Sequence, residues 1–211
     1  APAHAGVADV LALRGLWRQV DGMAVEAELA LAKVAARRAL ELDPTLAEVY
    51  ATFGVLALLE GDGDEAERNL TRALALAPNY ASAHDWRGEL MKFRGRLDLA
   101  VQEFQQAAAL DPLSPVFLHD LGLALSFAGR PAAALEFAER AEALHPTWVP
   151  PQILKADLLL MLGDDTGALS AVRAIMPQLL AGDYKPGGWR AVALMRRCGQ
   201  TAEAQSLGEK L

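Results

Sequence analysis

The sequence is poor in the residues that most often announce chemistry. It has one cysteine, Cys198, which excludes an internal disulfide and any cysteine-based zinc site and reads as a small residue packed in a helix interface. Aromatic residues make up 6% of 211, and the four tryptophans, Trp17, Trp86, Trp148 and Trp189, fall in or at the start of predicted first helices, where core or seam packing accounts for them, the alternative being exposure in a groove. No apolar run approaches the roughly 18 residues of a membrane span; ILKADLLLML is broken by Lys155 and Asp157. The start, APAHAGVADV, lacks the basic flank and long apolar centre of a secretory signal, so either no leader stood there or a leader, anchor or upstream domain was removed. Basic residues are scattered in a chain of net charge −7, which argues against a phosphate backbone as partner.

The usual signatures of catalysis are also missing. The four histidines never stand i, i+4 as a helical metal pair would, and there is no G-x-S-x-G, no GK[ST] phosphate loop and no G-x-G-x-x-G. EGDGDEAE at 60–67 is acidic but lacks the twelve-residue ligand spacing of a calcium loop. The expectation is a chain with no catalytic residue, no metal and no cofactor.

What is present is a period. ARRALELDP, LTRALALAP, FQQAAALDP and AERAEALHP end at Pro44, Pro78, Pro112 and Pro146, each 34 residues after the last. Gly54, Gly88 and Gly122 keep the same step, as do Gly61, Gly95, Gly129 and Gly163, and Ala66, Ala100, Ala134 and Ala168. Within one unit Tyr50, Phe53 and Ala57, then Ala66, Leu70 and Ala73, recur at intervals of three or four, the spacing of one helical face. The segment Glu60 to Gly63 supplies a turn and Pro78 a stop, so each unit is a helical hairpin with one face bare until a neighbour covers it. The glycines of the first helix and the alanines of the second are expected to face each other where backbones approach.

These units resemble tetratricopeptide repeats, whose pattern is W-x2-L-G-x2-Y, A-x3-F, P. Tyr50, Phe53, Gly54, Ala57, Ala66, Leu70, Ala73 and Pro78 fill it in one unit; His84, Arg87, Gly88, Met91, Ala100, Phe104, Ala107 and Pro112 in the next; Leu118, Leu121, Gly122, Leu125, Ala134, Ala138, Ala141 and Pro146 in the third. The resemblance implies an all-α, right-handed superhelical solenoid of about six antiparallel hairpins over residues 1–211. It would comprise an irregular first hairpin at 7–44 with Asp21 and Gly22 at its turn, regular repeats at 45–78, 79–112 and 113–146, a degenerate repeat at 147–181, a linker DYKPGG at 183–188, and a terminal hairpin at 188–211 turning at Gly199.

In such arrays the first helices line a concave face that holds extended peptides or helices. Carried over position by position, that face presents Glu48, Ala51, Val55 and Leu58, then Ser82, Asp85, Glu89 and Lys92, then His119, Leu123, Ser126 and Phe127, and finally Ile153, Asp157 and Leu160. Repeats that clamp a chaperone's carboxylate tail place Lys and Asn where this chain has Val55, Glu89, Leu123 and Asp157. The expected partner is therefore a neutral or basic protein or peptide, amphipathic or extended, with no membrane and no nucleic acid bound by this chain and self-association left open.

A narrower resemblance covers NYASAHDWRGELMKFRGRLDLAVQEFQQAAALDPLSP, with the LRG of Leu13, Arg14 and Gly15 at the start of the array. It is similar to the C-terminal repeat arrays of bacterial regulators that carry a winged-helix or nucleotide-cyclase domain upstream. Fifteen arginines against five lysines agree with a GC-rich bacterial source. The resemblance implies a sensing or interaction module of a larger regulator; the alternative is a free-standing scaffold or assembly factor. A cytoplasmic place is expected, or a periplasmic one if a membrane anchor precedes the chain.

Overall fold

A helix that must reverse within three residues needs a backbone that L side chains rarely adopt, and five glycines supply it. Gly61, Gly95, Gly129, Gly163 and Gly199 all have positive φ, between 71° and 85°. At each the following N–H reaches back to the last helical turn, as in Asp62 N to Ala57 O at 2.9 Å and Arg96 N to Met91 O at 2.9 Å, which satisfies carbonyls the helix end leaves open. The acidic turn at 60–67 is explained in the same way: Asp62 Oδ1 accepts from Glu65 N at 2.9 Å and caps the next helix.

The computed structural model describes residues 1–20, 26–181 and 185–210, and among them every regular element is a helix. Two compact units divide the chain at Leu110 and Asp111. The first holds α1 (Pro2–Val20), α2 (Glu26–Leu42), α3 (Ala47–Leu59), α4 (Gly63–Leu76), α5 (Ala81–Phe93) and α6 (Leu97–Leu110). The second holds α7 (Pro115–Phe127), α8 (Pro131–Leu144), α9 (Val149–Met161), α10 (Asp165–Ala174), α11 (Met176–Ala181), α12 (Lys185–Arg197) and α13 (Thr201–Gly208). The turn expected at Asp21 and Gly22 lies outside the described residues, as do Asp183, Tyr184 and the side chains of Leu13, Arg14 and Trp17.

The segment 147–181, expected as a degenerate repeat, holds α9 and α10 followed by the short α11, with Ile175 capping α10. The expected linker 183–188 is partly helical: α12 starts at Lys185, with Pro186 in its first turn, where a missing N–H costs nothing. The hairpin glycines open onto large side chains of the second helix. A Cβ on Gly54 would stand 2.6 Å from Leu70 Cγ, and one on Gly88 would stand 2.8 to 2.9 Å from three ring carbons of Phe104. The large side chain sixteen residues on is nearest in the socket each glycine opens. At Gly122, where position 138 is itself an alanine, the nearest atom is instead Ala134 O at 3.2 Å.

Neighbouring repeats are joined by polar ties whose chemistry changes while their place does not. Tyr50 Oη donates to Pro44 O at 3.1 Å, His84 Nε2 lies 3.0 Å from Pro78 O, and Gln152 Nε2 donates to Pro146 O at 2.8 Å. Each side chain, six residues past the stop proline, holds a carbonyl that no helix can use. The fourth member of the series, Leu118, has no donor and is buried instead. A second tie reverses its charges: Lys33 pairs with Glu60 at 2.5 Å, and 34 residues later Glu67 pairs with Arg94. Arg94 also reaches Asp64 at 2.7 Å and Gly63 O at 3.1 Å.

Candidate functional site

The first helices lie side by side within each unit, and individual contacts fix their order. In the first unit Thr52 Oγ1 of α3 lies 3.1 Å from Asp9 Oδ1 of α1, while Val55 shares a core cluster against which Trp86 of α5 packs. In the second, Ser126 Oγ of α7 lies 3.7 Å from Met161 Sδ of α9, and Arg190 of α12 forms an ion pair with Asp157 of α9. These contacts run along the face predicted to be concave.

Four of the fifteen predicted site residues are not available to a ligand. Ala51, Val55, Asp85 and Ile153 are 2 to 4% exposed. Adjacent first helices pack closely enough to cover these positions, so they form the floor of the face. Glu48 and Phe127 are exposed, the latter at 57%, while Leu58, Ser82, Glu89, Lys92, His119, Leu123, Ser126, Asp157 and Leu160 are half-buried. Leu160 rests on the core of the second unit, and His119 stacks edge-on against Trp148 with ring centres 5.2 Å apart.

The charge on this face is distributed differently from the expectation. Asp85 is buried, Glu89 is paired with Lys92 one helical turn on, and Asp157 is paired with Arg190. The acidity that remains exposed belongs to Glu48, beside the half-buried Asp9. Burial pushes the Asp9 carboxyl above the usual carboxylate range; the Thr52 hydroxyl opposes this and the charge of Glu48 adds to it. Tyr80, at the start of α5, is pushed up to about 12, chiefly by burial and then by the charge of Asp9, with a bond to Ser82 acting the other way. Asp157 is raised as well, because burial outweighs the Arg190 guanidinium beside it.

Asp9, Thr52, Tyr80, Met161 and Arg190 belong to the face and were not singled out from the sequence. Met161 carried a signal, since it lies 34 residues after Phe127, itself 34 after Phe93; all three are exposed at the ends of first helices. Arg190 carried none, because the irregular spacing after Gly163 conceals which residue of α12 meets Asp157. Among the described residues, no group of three or more His, Cys, Asp or Glu side chains is gathered as a metal site, and no helix is long and apolar enough to cross a membrane.

Known structures share this arrangement of hairpins. A structure from a functional characterisation of Pseudomonas aeruginosa pilF matches 99% of this chain and 92% of its own at 24% identity, with a TM-score of 0.71. PilW, described as a widely conserved type IV pilus biogenesis factor, matches 97% of this chain and 92% of its own at 16% identity and 0.75. YrrB, described as a TPR protein with an unusual peptide-binding site, matches 83% of this chain and 90% of its own at 20% identity and 0.63. The fold is the tetratricopeptide-repeat fold. No family model matches the sequence, and no curated protein matches it. Within this tetratricopeptide fold the stop prolines, the turn glycines and the Leu70 and Phe104 sockets maintain the shape, while the exposed positions of the first helices differ from repeat to repeat.

Proposed function

We propose that the chain is a protein-binding or peptide-binding module that holds its partner along the first helices and performs no catalysis. The observation that carries this reading is the mixed rim left accessible on that face. In the second unit Leu123, Phe127, Leu160 and Met161 offer apolar anchors beside Ser126 and His119, and in the first Leu58 lies with Glu48 and Ser82. Rims of this kind suit an amphipathic or extended segment, with buried anchors holding the complex and charges selecting it. The exposed carboxylate of Glu48, with the half-buried Asp9 beside it, favours a neutral or basic residue at the first unit.

Membership of a bacterial regulator is supported by the sequence marks of residues 79–115. The alternative, a free-standing assembly factor, is supported by the near complete mutual coverage with PilW, a type IV pilus biogenesis factor.

Selection of a displayed peptide library on the immobilised chain tests the binding reading. Peptides so obtained should lose most of their affinity for Leu123→Asp, which places an unpaired charge among the anchors, or weaken in a salt-dependent way with Glu48→Lys. Glu136→Lys, on the outer side of α8, should leave binding unchanged. Loss with the outer exchange and retention with both inner ones would show that the module works through another surface.

A further inference from the structure

One helix runs against the charge of the whole molecule. α12, KPGGWRAVALMRR, contains Lys185, Arg190, Arg196 and Arg197 and no acid, in a chain of net charge −7. Ala191, Val192, Leu194 and Met195 on one side are buried in the core of the second unit. On the other, Trp189 is 58% exposed, the Arg190 side chain is 61% exposed, and Ala193, Arg196 and Arg197 are exposed. Residues 189, 193, 196 and 197 follow i, i+4, i+7 and i+8, so the indole and the guanidinium groups share one face.

The acids on packed elements do not neutralise that face. Asp157 of α9 is engaged by Arg190, with Arg197 acting on it more weakly. Glu203 of α13 is held by Arg173 of α10 through two bonds, 3.0 and 2.7 Å. Asp165 of α10 acts on Cys198, past the end of the helix. Arg196 has no ion pair among the described residues.

We infer that this face of α12 is a docking surface for an acidic, amphipathic segment of a protein partner. An exposed tryptophan flanked by arginines is the composition that carries most binding energy in interfaces, with the indole as the apolar anchor. Guanidinium groups take carboxylates through paired, directional bonds that a lysine cannot reproduce. A segment with an apolar residue over Trp189 and Ala193 and carboxylates one turn on meets both. A nucleic-acid backbone is the poorer match, because four cations on one helix of an otherwise acidic molecule give it too few phosphate contacts. Arg190 borders the proposed groove through Asp157, but Trp189, Ala193, Arg196 and Arg197 are no part of the rim named above, and their charge selects the opposite sign of partner from Glu48.

The test uses two labelled helical peptides, one of Glu, Leu and Ala and its counterpart with Lys replacing every Glu, followed by fluorescence anisotropy on the whole chain. The acidic peptide should bind and weaken as salt rises, and the basic one should not bind at α12. Arg196→Glu with Arg197→Glu, and separately Trp189→Ala, should each weaken the acidic peptide about tenfold or more, with unchanged circular dichroism. Leu123→Asp, which strikes the groove, should leave this peptide's affinity unchanged, so failure here and failure of the groove reading are separable. The inference is overturned if the Arg exchanges have no effect, or if anionic lipid vesicles bind through Arg196 and Arg197 while the peptide does not. It is equally overturned if sedimentation shows self-association that Trp189→Ala abolishes, since a second copy would then cover the face.

Discussion

Adding one methyl group at Gly88 sets two opposing effects against each other, and the geometry decides between them. Alanine in a helix interior is favoured over glycine by about 1 kcal/mol, so Gly88→Ala at an open position would stabilise. Here the new Cβ would lie 2.8 to 2.9 Å from three carbons of the Phe104 ring, which is fully buried. The ring cannot swing into solvent, so α5 and α6 must part or the ring must tilt off its rotamer. Overpacking of this kind costs roughly 1 to 3 kcal/mol, and the expected net result is a loss of about 1 kcal/mol after the propensity gain. Urea denaturation followed by helical circular dichroism measures it. Gly6→Ala is the control, since nothing lies within 4 Å of its Cβ position and the same change should be neutral or stabilising there. A second arm repeats Gly88→Ala in a Phe104→Leu background, where the smaller side chain leaves room and the loss should shrink. If Gly88→Ala stabilised as Gly6→Ala does, or cost the same in both backgrounds, the socket would not be a packing constraint.

Other perturbations follow from single contacts. Asp9→Asn keeps an acceptor for Thr52 but removes a carboxylate whose pKa burial has raised, and such a group lends stability only while protonated, losing it as pH rises through the folded value. The variant's melting temperature should therefore exceed the parent's at pH 7, and the difference should vanish as pH falls below the ordinary carboxylate value; a difference that grew on acidification would refute the assignment. Gln152→Leu deletes the tie to Pro146 O and should destabilise by roughly 0.5 to 1.5 kcal/mol. The converse exchange, Leu118→Gln, gives the third repeat the donor it lacks, and should cost less in denaturation than Leu121→Gln, equally buried and with no waiting carbonyl. Glu67→Arg with Arg94→Glu should recover part of the stability that either change loses alone, as the reversed Lys33 and Glu60 pair shows that the site accepts both polarities.

Much of this fold was legible because its determinants are local and recur. Gly61, Gly95, Gly129 and Gly163 stand where a positive φ is needed, and each of the four stop prolines falls two residues past a helix end. Those requirements act within a few residues, so a 34-residue period in sequence becomes the same period in space. The site was less legible because accessibility depends on the neighbour's bulk. Ala51, Val55, Asp85 and Ile153 have the phase of the accessible rim residues and are buried only because the adjacent first helix comes close. Charge pairing was equally hidden: Asp157 is matched by Arg190, thirty-three residues away across an irregular stretch. The exposed Trp189 takes the alternative to core packing, and its position on the outer face of α12 follows from which residues of that helix enter the core.

The repeats also separate what maintains shape from what can select a partner. At one position tyrosine, histidine and glutamine all hold a proline carbonyl; at another, a cation and an anion exchange places across the seam. Chemistry that varies while geometry stays constant marks a structural task, since any side chain of the right reach completes it. On the exposed positions the reverse holds. Glu48 and Phe127 on the first helices, and Trp189 and Arg196 on α12, are exposed and make no hydrogen bond or ion pair among the described residues that their identity serves, so nothing in the fold requires these particular side chains. Their selection must then be sought in what binds there. Exchanging Glu48 or Arg196 should accordingly leave the denaturation midpoint within about 0.5 kcal/mol of the parent while changing affinity, whereas exchanging Gly88 or Gln152 should do the opposite. A variant at Arg196 that melted early and bound the acidic peptide normally would reverse this division of labour.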